Sequence, residues 1–258
     1  MRLVKSLLID LAKRVQRAVD GLSGDPGEVV GRGADGAPTT RIDRVAETAV
    51  LERLNDSGVK LDVLSEEAGF IPRGGEGLLV LDPVDGTHNA LRGVPAYSVS
   101  LAIGHKRLAD IEEGLVRDLV TGATYYAARG KGSTLDGRPI HAARFDPNDT
   151  LFSVYLGANA EAEATRIAAK ARRVRNLGVA SLDLCLVARG AADVYYLHSR
   201  EERLKLRACD IAAGTLIVRE AGGQVLDLSG RDLDIPLTAE AHTDLVAVGD
   251  HKAWEAIQ

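Results

Sequence analysis

The sequence predicts an α+β region over residues 1–143 followed by an α/β region over residues 144–258. Three observations lead there. Two helical periodicities precede a series of strand-length apolar runs. A Thr121-Gly122 hairpin signal joins the last two of those runs. Beyond residue 143, strand and helix patterns alternate, as they do in α/β folds.

Leu3, Leu7, Leu11, Val15 and Val19 recur at helical spacing and predict a helix over residues 2–20. Gly21–Pro38, rich in Gly, Asp and Pro, reads as a loop. A second helix fits residues 43–55, with Val45, Ala46, Val50 and Leu54 inward. Strands follow at Lys60–Leu64, Gly77–Leu81, Tyr97–Ile103, Glu113–Val120 and Ala123–Arg129. Gly130-Lys131-Gly132-Ser133 ends the hairpin, and Ala143–Asp149 marks the break between regions. The second region then reads as strand Phe152–Leu156, helices over 160–171 and 181–189, strand Ala192–Leu197, a helix over 210–221, and strands Gln224–Leu228 and Leu245–Val248.

The 258 residues are 45% hydrophobic and 27% charged, enough apolar material for a sizeable core, which excludes a wholly disordered chain. No run approaches the roughly 18 apolar residues of a membrane helix. Met1–Ala18 holds five basic residues among spaced apolar ones and reads as an amphipathic helix, not a secretory signal. A net charge of −5 argues against a general nucleic-acid binder. The only two cysteines, Cys185 and Cys209, supply neither a disulfide framework nor metal-ligand spacing, so a reducing, cytoplasmic setting is expected.

The informative segment is the apolar run Leu78–Leu81 followed by Asp82-Pro83-Val84-Asp85-Gly86-Thr87. Pro83 denies the chain a helical continuation. Gly86 permits a tight turn, and Thr87 can open a helix over 87–92. Two carboxylates on one turn repel unless a cation sits between them, and a helix start offers N–H groups to an anion. A hard divalent cation and a phosphate ester satisfy both. Three further acidic sites frame the segment. Ser65-Glu66-Glu67 follows a strand, though two solvated glutamates would look the same. Asp210 opens a helix, as an ordinary N-cap does. Thr40-Arg41-Ile42-Asp43 also fits a capping box.

Taken together, these four segments, with Glu220-Ala221-Gly222-Gly223, resemble the superfamily of lithium-sensitive phosphatases that includes inositol monophosphatase and fructose-1,6-bisphosphatase. The resemblance runs from about Thr39 to Asp227. Cys209 stands where that family usually has Trp, and the residues after Asn89 also depart from its pattern. Both departures resemble its archaeal branch, whose members often hydrolyse both inositol-1-phosphate and fructose-1,6-bisphosphate. The resemblance implies a layered α-β-α-β-α sugar-phosphatase sandwich. It also implies metal ligands at Glu66, Asp82, the Val84 carbonyl, Asp85 and Asp210, binding two or three Mg²⁺. Thr87 and Asp43, assisted by Glu66, would activate the attacking water. Backbone N–H groups of Gly86 and Thr87 would hold the phosphate. Attack would be in line with no phosphoenzyme, since no Ser, Cys or His in these motifs is placed as a nucleophile. His88 is expected outside the reacting centre, and a homodimer is expected.

Seven residues before Asp210, where animal inositol phosphatases carry a Glu, stands Arg203, unless a gap shifts Glu201 or Glu202 there. Arg172, Arg173, Arg175, Arg203 and Arg207 could grip a second phosphate by bidentate contacts, or form a solvated basic face. Tyr155 could line the same pocket or fill the core. The substrate reading is therefore a small phosphate ester: fructose-1,6-bisphosphate, inositol-1-phosphate or both. A nucleotide phosphatase acting on phosphoadenosine phosphate or NADP, with Phe152, Tyr155 or Tyr195 under the base, and a non-catalytic binding protein remain alternatives.

Overall fold

Along strand Gly77–Asp85, Leu78 and Val80 turn to one hydrophobic core while Leu79 and Leu81 turn to another. A strand covered on both faces requires that division, and it sets the layers of the molecule. The computed structural model describes residues 2–34 and 36–258, without the side chains of Arg2, Leu3 and Arg203. An eight-stranded sheet runs in the spatial order Arg138–Ile140, Ser133–Leu135, Thr124–Ala128, Glu113–Asp118, Ser98–Gly104, Gly77–Asp85, Leu61–Ser65, Gly69–Ile71. All neighbours are antiparallel except Leu61–Ser65 and Gly77–Asp85, which are parallel.

Helices Arg2–Asp20 (α1) and Arg41–Ser57 (α2) cover one face of this sheet. Leu7, Leu8, Leu11 and Val15 of α1 and Ile42, Ala46, Val50 and Leu54 of α2 meet Leu79, Leu81, Leu101 and Leu115 there. Thr87–Arg92 forms the short α3, and Ala162–Ala169 forms α4. Ala180–Ala188 (α5) and Ala208–Glu220 (α6) cover the opposite face. Both are apolar almost all round, as helices wedged between two sheets must be. Beyond them lies a five-stranded sheet in the order Arg173–Arg175, Leu151–Val154, Val194–Leu197, Leu245–Val248, Gln224–Leu226. Tyr195, Leu197, Leu245 and Ala247 face α5 and α6. Phe152, Val154, Val194 and Val246 face outward beneath α4 and the last helix, His251–Ile257 (α7). The result is the expected α-β-α-β-α sandwich. No helix among the described residues is long and apolar enough to cross a membrane.

The structure corrects several expectations. The presumed loop 21–38 contains strand Val29–Arg32, which pairs with Pro38–Thr40. Gly130–Ser133 does not end the meander: Ser133–Leu135 and Arg138–Ile140 form another hairpin. Its signal is Asp136-Gly137, both at positive φ, the conformation favoured by the primed hairpin turns. Strand Glu113–Val120 stops at Asp118, because the Asp118 carboxylate accepts the Val120 and Thr121 amides and turns the chain early. Val45 is only partly buried, and Ile42 takes its place in the core. Edge strand Arg173–Arg175 is polar and carried no strand pattern. α7 was not expected; Asp250 caps it by accepting the Lys252 amide at 3.0 Å.

α5 and α6 approach at Gly214, where a Cβ would lie 2.6 Å from Leu184 Cδ1. Elsewhere in a helix, replacing Gly gains up to ~1 kcal/mol. Here the overlap outweighs that gain, and Gly214→Val should lower unfolding free energy by about 2–3 kcal/mol in urea titration. Unchanged or increased stability would show that the two helices are not in this contact.

Candidate active site

Asp82 pairs with Ser100 and Asp85 with Ser98, so β-strand Gly77–Asp85 carries one extra residue at this point. Residues three apart in a regular strand face opposite sides. The extra residue is a β-bulge, and it brings both carboxylates to the same side. The motif explains it: Pro83 has no N–H for the ladder, and the Val84 amide donates to Asp82 Oδ1 at 3.1 Å. The strand thus runs on to Asp85, beyond its expected end at Leu81. Gly86 then turns the chain into α3 at φ +91°, and a Cβ there would lie 2.7 Å from Val179 Cγ2.

Two more carboxylates arrive from elsewhere. Glu66 follows strand Leu61–Ser65, with its amide donating to the Leu81 carbonyl at 3.0 Å. Asp210 does not open α6 as its N-cap, which is Arg207; it is the third residue of the first turn. Its Oδ2 accepts the Arg207 amide at 2.8 Å in a capping-box arrangement. Oxygens of Glu66, Asp82 and Asp210 lie within 4.8 Å of one another. Asp85 joins them from the bulge and accepts the Ser181 amide of α5 at 2.7 Å. Burial, reinforced by mutual repulsion, raises the Asp82 carboxyl well above its ordinary value and Asp85 to about 7. Burial lifts Asp210 to about 6 against the pull of Arg207. Crowded carboxylates that resist ionisation are what a hard divalent cation relieves, and an all-oxygen donor set suits Mg²⁺ or Mn²⁺.

Thr87 Oγ1 donates to Asp43 Oδ1 at 2.7 Å and lies 2.9 Å from the Val84 carbonyl. Asp43 is held in place by Thr40, whose hydroxyl donates to it at 2.5 Å. Burial raises the Asp43 carboxyl, against those hydrogen bonds. The capping box expected from Thr40–Asp43 is present, and its carboxylate also reaches the site. With its proton committed to Asp43, the Thr87 oxygen can accept a hydrogen bond from a water molecule.

Glu66, Asp82, Val84, Asp85, Gly86, Thr87, Asp210, Tyr155 and Arg207 all line one cleft of about 460 Å³. His88 lies exposed at its edge. Arg172 does not belong there. It is exposed, and its guanidinium donates to the Asn148 carbonyl at 2.6 Å. Arg173 pairs with Asp149. Arg175 lines only a neighbouring hollow beyond Tyr155. These three lie on or beside the far edge strand of the smaller sheet, which is why they miss the cleft. The Arg203 side chain lies outside the described residues. Phe152 is buried on the far side of that sheet and cannot stack on a bound base.

Sequence reasoning missed the residues that tie residues 1–143 to residues 144–258 at the cleft. Asn89 Nδ2 donates to the Leu177 carbonyl at 2.7 Å, and Ser98 and Ser181 hydroxyls meet at 2.7 Å. Asp183 is fully buried. It accepts the Ser153 hydroxyl at 2.6 Å and the Leu177 amide at 3.3 Å, fixing the 176–179 turn at the cleft wall. A carboxylate among apolar residues, in Ser181-Leu182-Asp183-Leu184-Cys185, is the one signal that could have marked it.

The chain matches the model of the inositol monophosphatase family over residues 2–256. It is 35% identical to a fructose-1,6-bisphosphatase/inositol-1-monophosphatase of Methanothermobacter thermautotrophicus, covering 98% of this chain and 94% of that one. It is 33% identical to a bifunctional NADP phosphatase/NAD kinase of Methanococcus maripaludis, covering 93% of this chain and 46% of that one. Among solved structures, a Pyrococcus horikoshii protein with similarities to inositol-1-monophosphatase superposes with a TM-score of 0.84 at 31% identity, covering 99% of this chain and 97% of that one.

Burial pushes the Asp183 carboxyl up to about 6, against its hydrogen bonds. A carboxyl raised in the folded state stabilises most at low pH, and that contribution is lost as pH rises through about 6. Between pH 5 and 7.5 the loss amounts to about 1 kcal/mol. In Asp183→Asn the fall in unfolding free energy across that range should shrink by about this much. An equal or steeper fall would refute the assignment.

Proposed function

The chain belongs to the inositol monophosphatase family, and on that premise we propose that it is a Mg²⁺-dependent phosphomonoesterase of small sugar and polyol phosphates, fructose-1,6-bisphosphate and inositol-1-phosphate among them. The observation that carries this reading is the convergence of Glu66, Asp82 and Asp210, with Asp85, beside the Thr87–Asp43 pair. Residues 1–143 supply most of the ligands, and residues 144–258 supply Asp210 and the substrate wall.

Glu66, Asp82, Asp85, Asp210 and the Val84 carbonyl would hold two or three Mg²⁺ ions. When bound, the ions supply a water of lowered pKa and positive charge against the phosphoryl and alkoxide oxygens. Thr87 accepts a hydrogen bond from the attacking water, and Asp43 orients Thr87 through its own. Backbone N–H groups of Gly86 and Thr87 hold the phosphoryl group. The water oxygen bonds to phosphorus as it gives up a proton, the ester P–O bond breaks on the opposite side, and the departing alkoxide takes up a proton from water to leave as the alcohol. No covalent enzyme intermediate forms. A reducing cytoplasmic setting accords with Cys185 and Cys209, both buried and free, and a homodimer follows the family resemblance.

The relative that carries NADP phosphatase activity in its name favours a second reading, a nucleotide phosphatase on the same site. Phosphate release with Mg²⁺ from fructose-1,6-bisphosphate, inositol-1-phosphate, NADP and phosphoadenosine phosphate, side by side, separates the two. We expect the sugar phosphates to be preferred. Asp85→Asn should cut kcat/KM by more than about 100-fold, beyond what losing a group that merely orients a ligand costs. Full activity in that variant would refute the site, and a strong preference for a nucleotide would establish the second reading.

A further inference from the structure

Arg207 occupies a singular place in this cleft. It caps α6 and lies on the short strand Leu206–Arg207, paired with His242–Thr243. Its Nη2 donates to Glu66 Oε1 and lies 3.6 Å from Asp210 Oδ1. Those are two of the three carboxylates whose oxygens converge within 4.8 Å. The ion pairs are partly buried, with Arg207 and Glu66 side chains 21% exposed and Asp210 13% exposed, so water screens them incompletely.

A guanidinium and a divalent ion compete for the same carboxylate oxygens. The guanidinium approaches along the oxygen lone pairs with its N–H groups. Mg²⁺ needs those lone pairs in direct contact at about 2.0–2.1 Å. Both also carry positive charge into one small volume. Arg207, Glu66 and Asp210 also line a second cavity, of about 680 Å³, whose wall includes Glu202, Glu240 and His242 but not Asp82. It offers the guanidinium room and the Glu240 carboxylate, while Glu202 already pairs with Lys205 at 2.7 Å.

We infer that Arg207 is a tethered cation that competes with the divalent metal for Glu66 and Asp210. In the metal-free protein it offsets the repulsion among the buried carboxylates. On metal binding its guanidinium leaves Glu66 for the adjoining cavity. Arg207 therefore lowers metal affinity below what this many carboxylates would otherwise give.

The inference rests on the divalent-metal reading of the site. Its test is direct binding of Mn²⁺, followed by the EPR signal of the free ion, to wild type, Arg207→Gln and Arg207→Lys. Arg207→Gln should bind about tenfold tighter, and its metal-free form should unfold at a lower temperature. Arg207→Lys keeps the charge but cannot bridge two carboxylates as a fork does, so its affinity should fall between the two. If Arg207→Gln fails to fold without metal, the order of Arg207→Lys against wild type decides. Unchanged or weaker Mn²⁺ binding in the variants would overturn the competition while leaving the metal site standing. No Mn²⁺ binding by any of the three would overturn both.

Discussion

Repulsion among buried carboxylates is the constraint around which this structure is arranged. Glu66, Asp82 and Asp210 converge within 4.8 Å, with Asp85 alongside, on or next to elements that are otherwise largely apolar. No domain tolerates that arrangement without compensating charge. The compensation seen here is partial: amides from Val84, Ser181 and Arg207, and one guanidinium. What remains is a cluster of negative charge on the cleft wall that is only partly offset.

The layered fold is what makes the convergence possible. The larger sheet supplies Glu66, Asp82 and Asp85 from the ends of two parallel neighbours. The sandwiched helices supply the rest, Asp210 from the first turn of α6 and the Ser181 amide from the first turn of α5. Because α5 and α6 touch both sheets in one continuous core, a shift of either helix would be felt at the ligands. The contacts Asn89–Leu177 and Ser98–Ser181 fix the same register beside the cleft. Packing and catalysis are thus coupled through the middle layer.

Much of this was legible in the sequence, for identifiable reasons. Helical spacing marked α1 and α2, and the Asp82–Thr87 run marked the turn where Asp82 and Asp85 come together, because Pro, Gly and paired carboxylates there have few other uses. The bulge was not legible, since it depends on how Ser98 and Ser100 pair across the sheet. Nor was Arg207's pairing with Glu66, which joins residues far apart in sequence. The arginine cluster splits between its two readings because residue type gives no placement: Arg172, Arg173 and Arg175 sit on or beside an edge strand as a solvated face, and of the cluster's described side chains only Arg207 reaches the carboxylates. Asp183 was hidden by an apolar helix pattern that gives no hint of the Ser153 hydroxyl opposite it.

The measurement that bears most directly on this account is anomalous scattering from crystals soaked in Mn²⁺. The account predicts strong peaks between Asp82 and the carboxylates of Glu66, Asp85 and Asp210, with the Val84 carbonyl among the ligands. Crystals that take up Mn²⁺ only elsewhere on the surface, with the carboxylate cluster unchanged, would contradict it.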